Sequence, residues 1–142
     1  MALKLSMLLT GITSLVVKLV EEHAMISLYQ RLGGRDGITQ IASDLVELHH
    51  NNPRIAPRFV GSDLASLKQS AAAFFITGAG GPACYTGQDM VSVHRGMNID
   101  GEEFLAVLDD ALVALGKNGV AQREQEEVLF ILYSMKAQIV HG

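Results

Sequence analysis

The sequence predicts an all-α protein built as one domain, and its composition and its periodicity both indicate this. Proline occurs only three times in 142 residues and tryptophan is absent. Alanine, leucine, valine and isoleucine dominate, a composition that favours helices. Apolar residues recur at three- and four-residue spacing, which is typical of helices with one buried face. A chain of this length is large enough to enclose a core or one buried cofactor.

Charge and cysteine content exclude several classes of function. The formal net charge is −4 and no run of lysine or arginine occurs, so the basic surface that nucleic acids require is missing. Cys84 is the only cysteine; it cannot form an internal disulfide or a cysteine-based zinc site, and it is compatible with a reducing compartment. The adjacent carboxylates Asp109-Asp110 and Glu126-Glu127 are predicted to be solvated rather than catalytic.

Residues 1–26 are predicted to form an amphipathic helical extension before a domain that spans 27–142. Apolar residues share one side of this helix. Gly11 and Lys18 interrupt the apolar run, so the segment fits neither a secretion signal nor a membrane-spanning helix. We therefore expect a cytoplasmic protein whose extension packs on the domain or on a second copy, or contacts a membrane surface.

The domain opens with two helices whose ends are marked by particular residues. Ser27 and Gln30 have the spacing of a capping box, and Gly33-Gly34 ends this first short helix. A second helix is predicted over 35–50, and the proline-containing segment after it stops the helix.

Two adjacent histidines, His49 and His50, stand at the end of this second helix. A helix C-terminus favours positive charge, and neighbouring residues point in directions too different to chelate one metal. Both side chains are therefore predicted to lie on the surface.

Four further helices are predicted in the rest of the domain. Each of the first three begins at a capping residue, and an apolar face follows. The predicted starts and ends are Ser62 or Asp63 to a glycine-rich segment at 77–82, Thr86 and Asp89 to Asn98, Asp100 and Glu103 to Asn118-Gly119, and a last helix that carries Val128 to Ile139.

His94 is a single imidazole on an otherwise apolar helix face. Met90, Val93, His94 and Met97 fall at i, i+3, i+4 and i+7 and therefore share one side. A neutral imidazole in an apolar cavity is a good ligand for a transition metal, and the same stripe would hold a large flat cofactor. The alternative is a core histidine bonded to a backbone carbonyl, which is the commoner role of a lone histidine.

Three short motifs, taken together, resemble those of the group one truncated hemoglobins. They are Ser27-Leu28-Tyr29 followed by Gly33-Gly34, then Gly80-Gly81-Pro82, and then Cys84-Tyr85-Thr86-Gly87 with Met90 and His94. The match runs from Ser27 to the C-terminus, and two glycine pairs at these distances from one histidine are specific. The resemblance implies a two-on-two helical sandwich around heme b, with His94 as the proximal iron ligand.

The same resemblance assigns residues to the cofactor and to the gas ligand. Phe59 would stack on the porphyrin, and Lys68 and Arg95 would pair with propionates at the rim, although each cation equally fits a solvated surface position. The residues that would line the cofactor pocket are Leu67, Ala71, Phe74, Met90, Val93, Met97, Ile99 and Phe104. The distal ligand pocket would be formed by Leu45, Val46, Leu67, Ala71 and Phe75.

The distal side departs from the family pattern. Val46 stands where most relatives have tyrosine, and Ala71 where many have glutamine, so no strong hydrogen-bond donor is predicted there. His50 is the only nearby imidazole, and its predicted place at the helix end argues against recruitment to the iron. Dioxygen on ferrous heme gains more from a hydrogen bond than carbon monoxide or nitric oxide does.

Three functional hypotheses follow from these features. The first is reversible binding or sensing of oxygen, carbon monoxide or nitric oxide at a five-coordinate iron in an apolar pocket. The second is an enzyme that, with a reductase, converts nitric oxide and bound oxygen to nitrate. The third is a cofactor-free helical interaction protein in which His94 is only packed in the core.

Overall fold

The computed structural model describes residues 11–19 and 26–142, and the regular elements within these ranges are all helical. The all-α fold class predicted from the sequence is confirmed. Residues 11–19 form a helical segment in which every residue is exposed. The rest of the predicted helical extension, at 1–10 and 20–25, lies outside the described residues. Within the described part of the chain, no helix is long and apolar enough to cross a bilayer.

Seven α-helices and one 3-10 helix follow residue 26. Helix α2 packs against α3 and α5, and α5 packs in turn against α6, so two pairs of helices enclose the core. The elements are α1 (Leu28–Arg31), α2 (Gly34–Asn51), the 3-10 helix (Ala56–Phe59), α3 (Leu64–Gly78), α4 (Met90–His94), α5 (Gly101–Lys117), α6 (Gln122–Ser134) and α7 (Lys136–Ile139). The most deeply buried large side chains are Ile38, Ile76 and Leu115.

Two of the predicted capping boxes are confirmed. The Ser27 hydroxyl accepts a hydrogen bond from the Gln30 amide at 3.2 Å, and the Gln30 side chain accepts from the Ser27 amide at 3.3 Å. Asp100 and Glu103 form the same reciprocal pair at the start of α5. Each box satisfies amides that have no partner inside the helix, which sets where α1 and α5 begin.

Helix α4 is shorter than predicted and begins later. Its N-cap is Asp89, whose carboxylate accepts from the Ser92 amide at 2.8 Å, and Thr86 takes no part in the cap. This hydrogen bond holds the pKa of the Asp89 carboxyl below its ordinary value. The helix ends at His94 rather than near Asn98, because the backbone of Arg95 already has a ψ of 129°, outside the helical range. Gly96 and Asn98 then have φ of +78° and +49°, and positive φ prevents a right-handed helix from resuming.

The two glycine motifs are in contact through one tyrosine. The backbone amide of Tyr29 donates a hydrogen bond to the Ala79 carbonyl at 2.9 Å, and the Tyr29 ring lies against Gly81. A Cβ at Gly81 would lie only 2.5 Å from that ring, so a larger residue would force α1 away from the end of α3. Gly33 and Gly34 have φ of +95° and +67°, a conformation that lets the chain turn sharply from α1 into α2.

Two predictions of surface position are wrong. His49 and Asp110 are both only 8% exposed, and they are hydrogen-bonded to each other at 2.8 Å between Nδ1 and Oδ2. His50 and Asp109 are exposed as expected. The reason is the crossing of α2 over α5, which gives each polar side chain a partner and so makes burial possible.

Candidate functional site

A cavity of about 370 Å³ lies between the 3-10 helix, α3, α4 and the last three helices. This volume falls in the range of small-molecule binding sites, roughly 300–1,000 Å³. Most of the lining side chains are aliphatic, aromatic or methionine, and the polar ones are Arg58, Ser62, His94 and Glu103. Such a lining suits a large apolar ligand that is held in place by a few polar contacts.

His94 stands at the last position of α4 and borders this cavity. Its Nδ1 lies 2.8 Å from the backbone oxygen of Met90. Because a carbonyl oxygen only accepts, Nδ1 carries the proton and the lone pair of the ring is on Nε2. Histidines that ligate metals commonly donate their other N–H in this way, which fixes the tautomer and the ring orientation.

The structure brings seven of the site residues predicted from the sequence to the wall of the cavity. Helix α3 and the 3-10 helix contribute on one side, and α4, the segment after it and α5 contribute on the other. The seven residues are Phe59, Leu67, Val93, His94, Met97, Ile99 and Phe104.

The other predicted site residues lie elsewhere. Phe74 packs edge-on against Phe75 and Tyr85, with centroid separations of 5.8 and 5.4 Å. Leu45 and Phe75 border a separate small void inside the core. The remaining residues that do not border the cavity are Val46, which is buried, Lys68, Ala71 and Met90, which are half-buried, and Arg95, which is exposed.

The charged side chains at the rim are paired. Arg58 donates to both carboxylate oxygens of Glu103 at 2.7 and 3.0 Å and to the Met97 carbonyl at 2.7 Å. The Arg58 guanidinium holds the pKa of the Glu103 carboxyl below its ordinary value. Lys68 instead binds Glu47 at 2.6 Å, away from the cavity, and lowers the pKa of that carboxyl. Arg58 is therefore the cation that borders the cavity.

The segment that follows His94 is held by the C-terminal tail. The Gly96 amide donates to the Gly142 carbonyl at 3.2 Å, and the His141 amide donates to the Ile99 carbonyl at 2.9 Å. His141 Nδ1 also lies 3.0 Å from Asn98 Oδ1. These contacts fix the loop between the end of α4 and the start of α5, on the side of the cavity where His94 stands.

Sequence reasoning missed several residues of the cavity wall. Four of them belong to the apolar faces of α5, α6 and α7, and Met135 lies between the last two helices, so helical periodicity was a usable signal. Arg58 and Glu103 gave no such signal, because they are 45 residues apart. The missed residues are Ile55, Arg58, Ser62, Glu103, Val107, Leu108, Leu132, Met135 and Ile139.

The family model for bacterial-like globins matches residues 27–141. The chain belongs to the bacterial-like globin family. Group 1 truncated hemoglobin GlbN of Nostoc sp. (strain MUN 8820) is 28% identical over 117 residues, which cover 82% of this chain and 99% of that protein. GlbN of Mycolicibacterium paratuberculosis is 28% identical over 82% of this chain and 85% of its own length. The resemblance to group 1 truncated hemoglobins is confirmed.

Solved structures show the same fold as this globin. The truncated hemoglobin of Tetrahymena pyriformis in its Fe(III) form superposes with a TM-score of 0.79 at 20% identity, covering 82% of this chain and all of that one. The 2/2 hemoglobin of Synechococcus sp. PCC 7002 gives 0.73 at 24% identity, over 80% and 95% of the two chains. The two-on-two arrangement predicted from the motifs is therefore confirmed.

Membership of this family implies that the globin binds heme and a gas ligand. The residues present fit a heme. The cavity has a wall of apolar side chains, and it presents one imidazole whose Nδ1 is already bonded to Met90. Among the described residues, no hydrogen bond occupies Nε2 of that ring, so its lone pair is free to ligate iron.

Proposed function

We propose that this globin holds heme b through His94 and binds oxygen, carbon monoxide or nitric oxide reversibly at a five-coordinate iron. The observation that carries the proposal is the fixed tautomer of His94 at the wall of a large apolar cavity. Heme, when bound, supplies an iron that binds diatomic gases. The protein supplies one axial nitrogen and an apolar wall that limits access of water.

We further propose that the globin holds dioxygen weakly, and the residue types of the predicted distal side support this. Leu45 and Val46 are buried, and Ala71 is half-buried, on the two helices that the family uses for distal donors. None of the three side chains carries an N–H or O–H group. A gas ligand that gains from a hydrogen bond is therefore retained less well than in relatives that have distal donors.

The proposed five-coordinate state is supported by the position of His50. This residue is exposed on α2 and does not border the cavity. Its neighbour His49 is engaged by Asp110 at 2.8 Å. Neither of these two histidines borders the cavity, which favours a five-coordinate iron.

Absorption spectra of the ferric, ferrous and carbon monoxide forms test this proposal. The purified protein should show a Soret band and a mainly five-coordinate ferrous spectrum. Replacement His94→Gly should abolish the native ferrous spectrum, and added imidazole should restore much of it. His50→Gln is the matched control and should leave every spectrum unchanged. A cofactor-free protein with no Soret band, or a bis-histidine ferrous spectrum lost in His50→Gln, would contradict the proposal.

The conversion of nitric oxide to nitrate remains a prediction from the sequence. It is distinguished from simple gas binding by one further measurement on the oxygenated protein. Stoichiometric nitrate formation on mixing with nitric oxide, sustained over many cycles by a reductase, would support an enzyme. A single turnover with no sustained activity would support a gas-binding protein.

A further inference from the structure

A buried polar cluster lies where α2 crosses α5, outside the wall of the cavity. His49 Nδ1 lies 2.8 Å from Asp110 Oδ2, and the Asn52 amide donates to the two Asp110 oxygens at 3.1 and 3.2 Å. The Asn52 backbone amide also donates to the His49 carbonyl at 3.3 Å. The Asp110 carboxylate acts as acceptor throughout, so the His49 Nδ1 donates to it. These bonds restrain the imidazole in one orientation.

The imidazole of His49 stacks on Phe59. The two ring centroids are 5.8 Å apart and the ring planes differ by 19°. Phe59 borders the cavity, whereas His49 does not. His49 therefore contacts the wall of the cavity through the ring of Phe59.

Phe59 stands at the end of a short element. It is the last residue of a four-residue 3-10 helix, which is too short to fix its orientation by itself. Aromatic rings prefer offset-stacked or edge-to-face arrangements over a direct sandwich, and this pair is stacked, so a fixed imidazole restrains the plane of the phenyl ring. Asn52 and Asp110 thus fix the orientation of His49, and His49 in turn restrains the ring of Phe59 that borders the cavity.

We propose that His49 is a positioning residue that holds Phe59 in the plane needed to stack on the heme. This inference rests on the proposed heme site, because the role of Phe59 is defined by that cofactor. It assigns a function to a histidine that neither binds iron nor borders the cavity. It also gives a reason for burying a histidine and a carboxylate together, a pair that adds little stability by itself.

Proton NMR of the ferric cyanide complex tests the position of Phe59 directly. The ring protons of a phenylalanine next to the iron are shifted by its unpaired electron, and the shifts depend steeply on ring position. Replacement His49→Gln keeps an amide donor for Asp110 but removes the stacking ring. We expect altered Phe59 shifts, and hemin transfer to excess apomyoglobin that is about three- to tenfold faster than in the wild type.

His50→Gln is the matched control, because His50 is the exposed neighbour on the same helix. It should leave the Phe59 shifts and the rate of hemin transfer at their wild-type values. Asp110→Asn is the second variant, since it keeps the size of the side chain and an acceptor oxygen while weakening the bond to His49. It should move the Phe59 signals in the same direction as His49→Gln, by a smaller amount.

The outcomes separate this inference from the proposed function. If the wild type shows no Soret band, the proposed function is wrong and the inference fails with it. If the wild type binds heme but both variants keep the wild-type Phe59 shifts and hemin transfer rate, only the inference is wrong. A lower melting temperature with unchanged Phe59 shifts would also overturn it, because His49 would then have a structural role alone.

Discussion

At the residue scale, Arg58 joins three separate parts of the chain around the cavity. Its guanidinium donates hydrogen bonds to Glu103 at the start of α5 and to the Met97 carbonyl after α4. The residue itself lies in the 3-10 helix, directly before Phe59. A bidentate bond of this kind fixes geometry as well as adding attraction. Both side chains remain partly exposed, so this pair contributes more to the shape of the rim than to the stability of the fold.

Ala71→Gln is expected to slow dioxygen release by about tenfold. Ala71 itself does not border the cavity, so the effect requires the longer glutamine side chain to bring a hydrogen-bond donor, worth about 1.5 kcal/mol, to the gas ligand. Carbon monoxide release should change much less. Stopped-flow release of both gases measures the effect, and Ser70→Gln, an exposed position on the same helix, is the control. Equal slowing of both gases would indicate steric blocking instead.

Val46→Tyr is a poorer test of the same idea. Val46 is only 5% exposed, and overpacking a buried site costs about 1–3 kcal/mol of stability.

At the scale of elements, α4 is too short to hold His94 by itself. The helix has five residues, and an isolated helix of that length is unstable in water. Its position depends on the cap at Asp89 and on the C-terminal tail, which pairs with the following loop through a parallel bridge between Ile99 and Val140. We therefore expect the tail to influence how firmly the heme is held.

Replacement His141→Pro should speed hemin transfer to apomyoglobin. Proline lacks the amide that bonds to Ile99, and its ring cannot adopt the φ of +57° found at His141. The matched control is His141→Asn, which keeps the amide and tolerates positive φ. A transfer rate in His141→Pro equal to that of the control would show that the tail does not stabilise the proximal side.

The contact between α2 and α5 should make stability depend on pH through His49. Burial lowers the pKa of this imidazole below its ordinary value, against the opposing effect of Asp110. Well above about pH 6.5 the His49 side chain is neutral in both the folded and the unfolded protein. As pH falls, the unfolded chain binds a proton first, so the folded state loses stability. This loss continues until the pH drops below the lowered pKa of the folded state. The slope for one proton is at most about 1.4 kcal/mol per pH unit.

Urea unfolding at about pH 7.5 and about pH 5 measures this effect. With heme content held the same, the wild type should lose more stability over this interval than His49→Gln does. His50→Gln should behave as the wild type, since that side chain is exposed. Identical pH dependence in the wild type and in His49→Gln would contradict the prediction.

At the scale of the whole molecule, the N-terminal segment lies outside the region that the family model matches. The family match begins at residue 27, and the capping box at Ser27 is completed by Gln30 within the domain. Residues 11–19 expose apolar side chains, among them Ile12, Leu15 and Leu19 at 55–57%. Exposed apolar side chains in one segment are a feature of surfaces that associate with others.

Deletion of residues 1–25 should leave the heme spectra unchanged, because the described residues that form the cavity wall all lie between 55 and 139. Solubility or self-association should change, since apolar surface is removed. Absorption spectra and sedimentation of the truncated and full-length proteins provide the comparison. Loss of heme from a truncated protein that remains folded would show that the extension takes part in the pocket.

Local patterns in the sequence were enough to predict the helical class and most helix ends, and they indicate His94 as the residue to test as an iron ligand. Capping boxes such as Ser27 with Gln30 act within one turn, and Gly33-Gly34 acts through its own φ, so neither needs knowledge of the rest of the fold. His94 was identified by its distance along the chain from two glycine motifs. The capping box predicted for Thr86 and Asp89 was wrong, because Asp89 itself caps the helix through the Ser92 amide.

The tertiary structure decided the features that depend on contacts between distant residues. His49 and Asp110 are 61 positions apart; each alone favours solvent, and only the crossing of α2 and α5 lets them be buried together. Arg58 borders the cavity because Glu103 and Met97 meet it there, while Lys68 is held away by Glu47. A polar side chain can be buried only where another group pairs with its charge or its hydrogen bonds. When that partner is distant in the sequence, only the folded chain brings the two together.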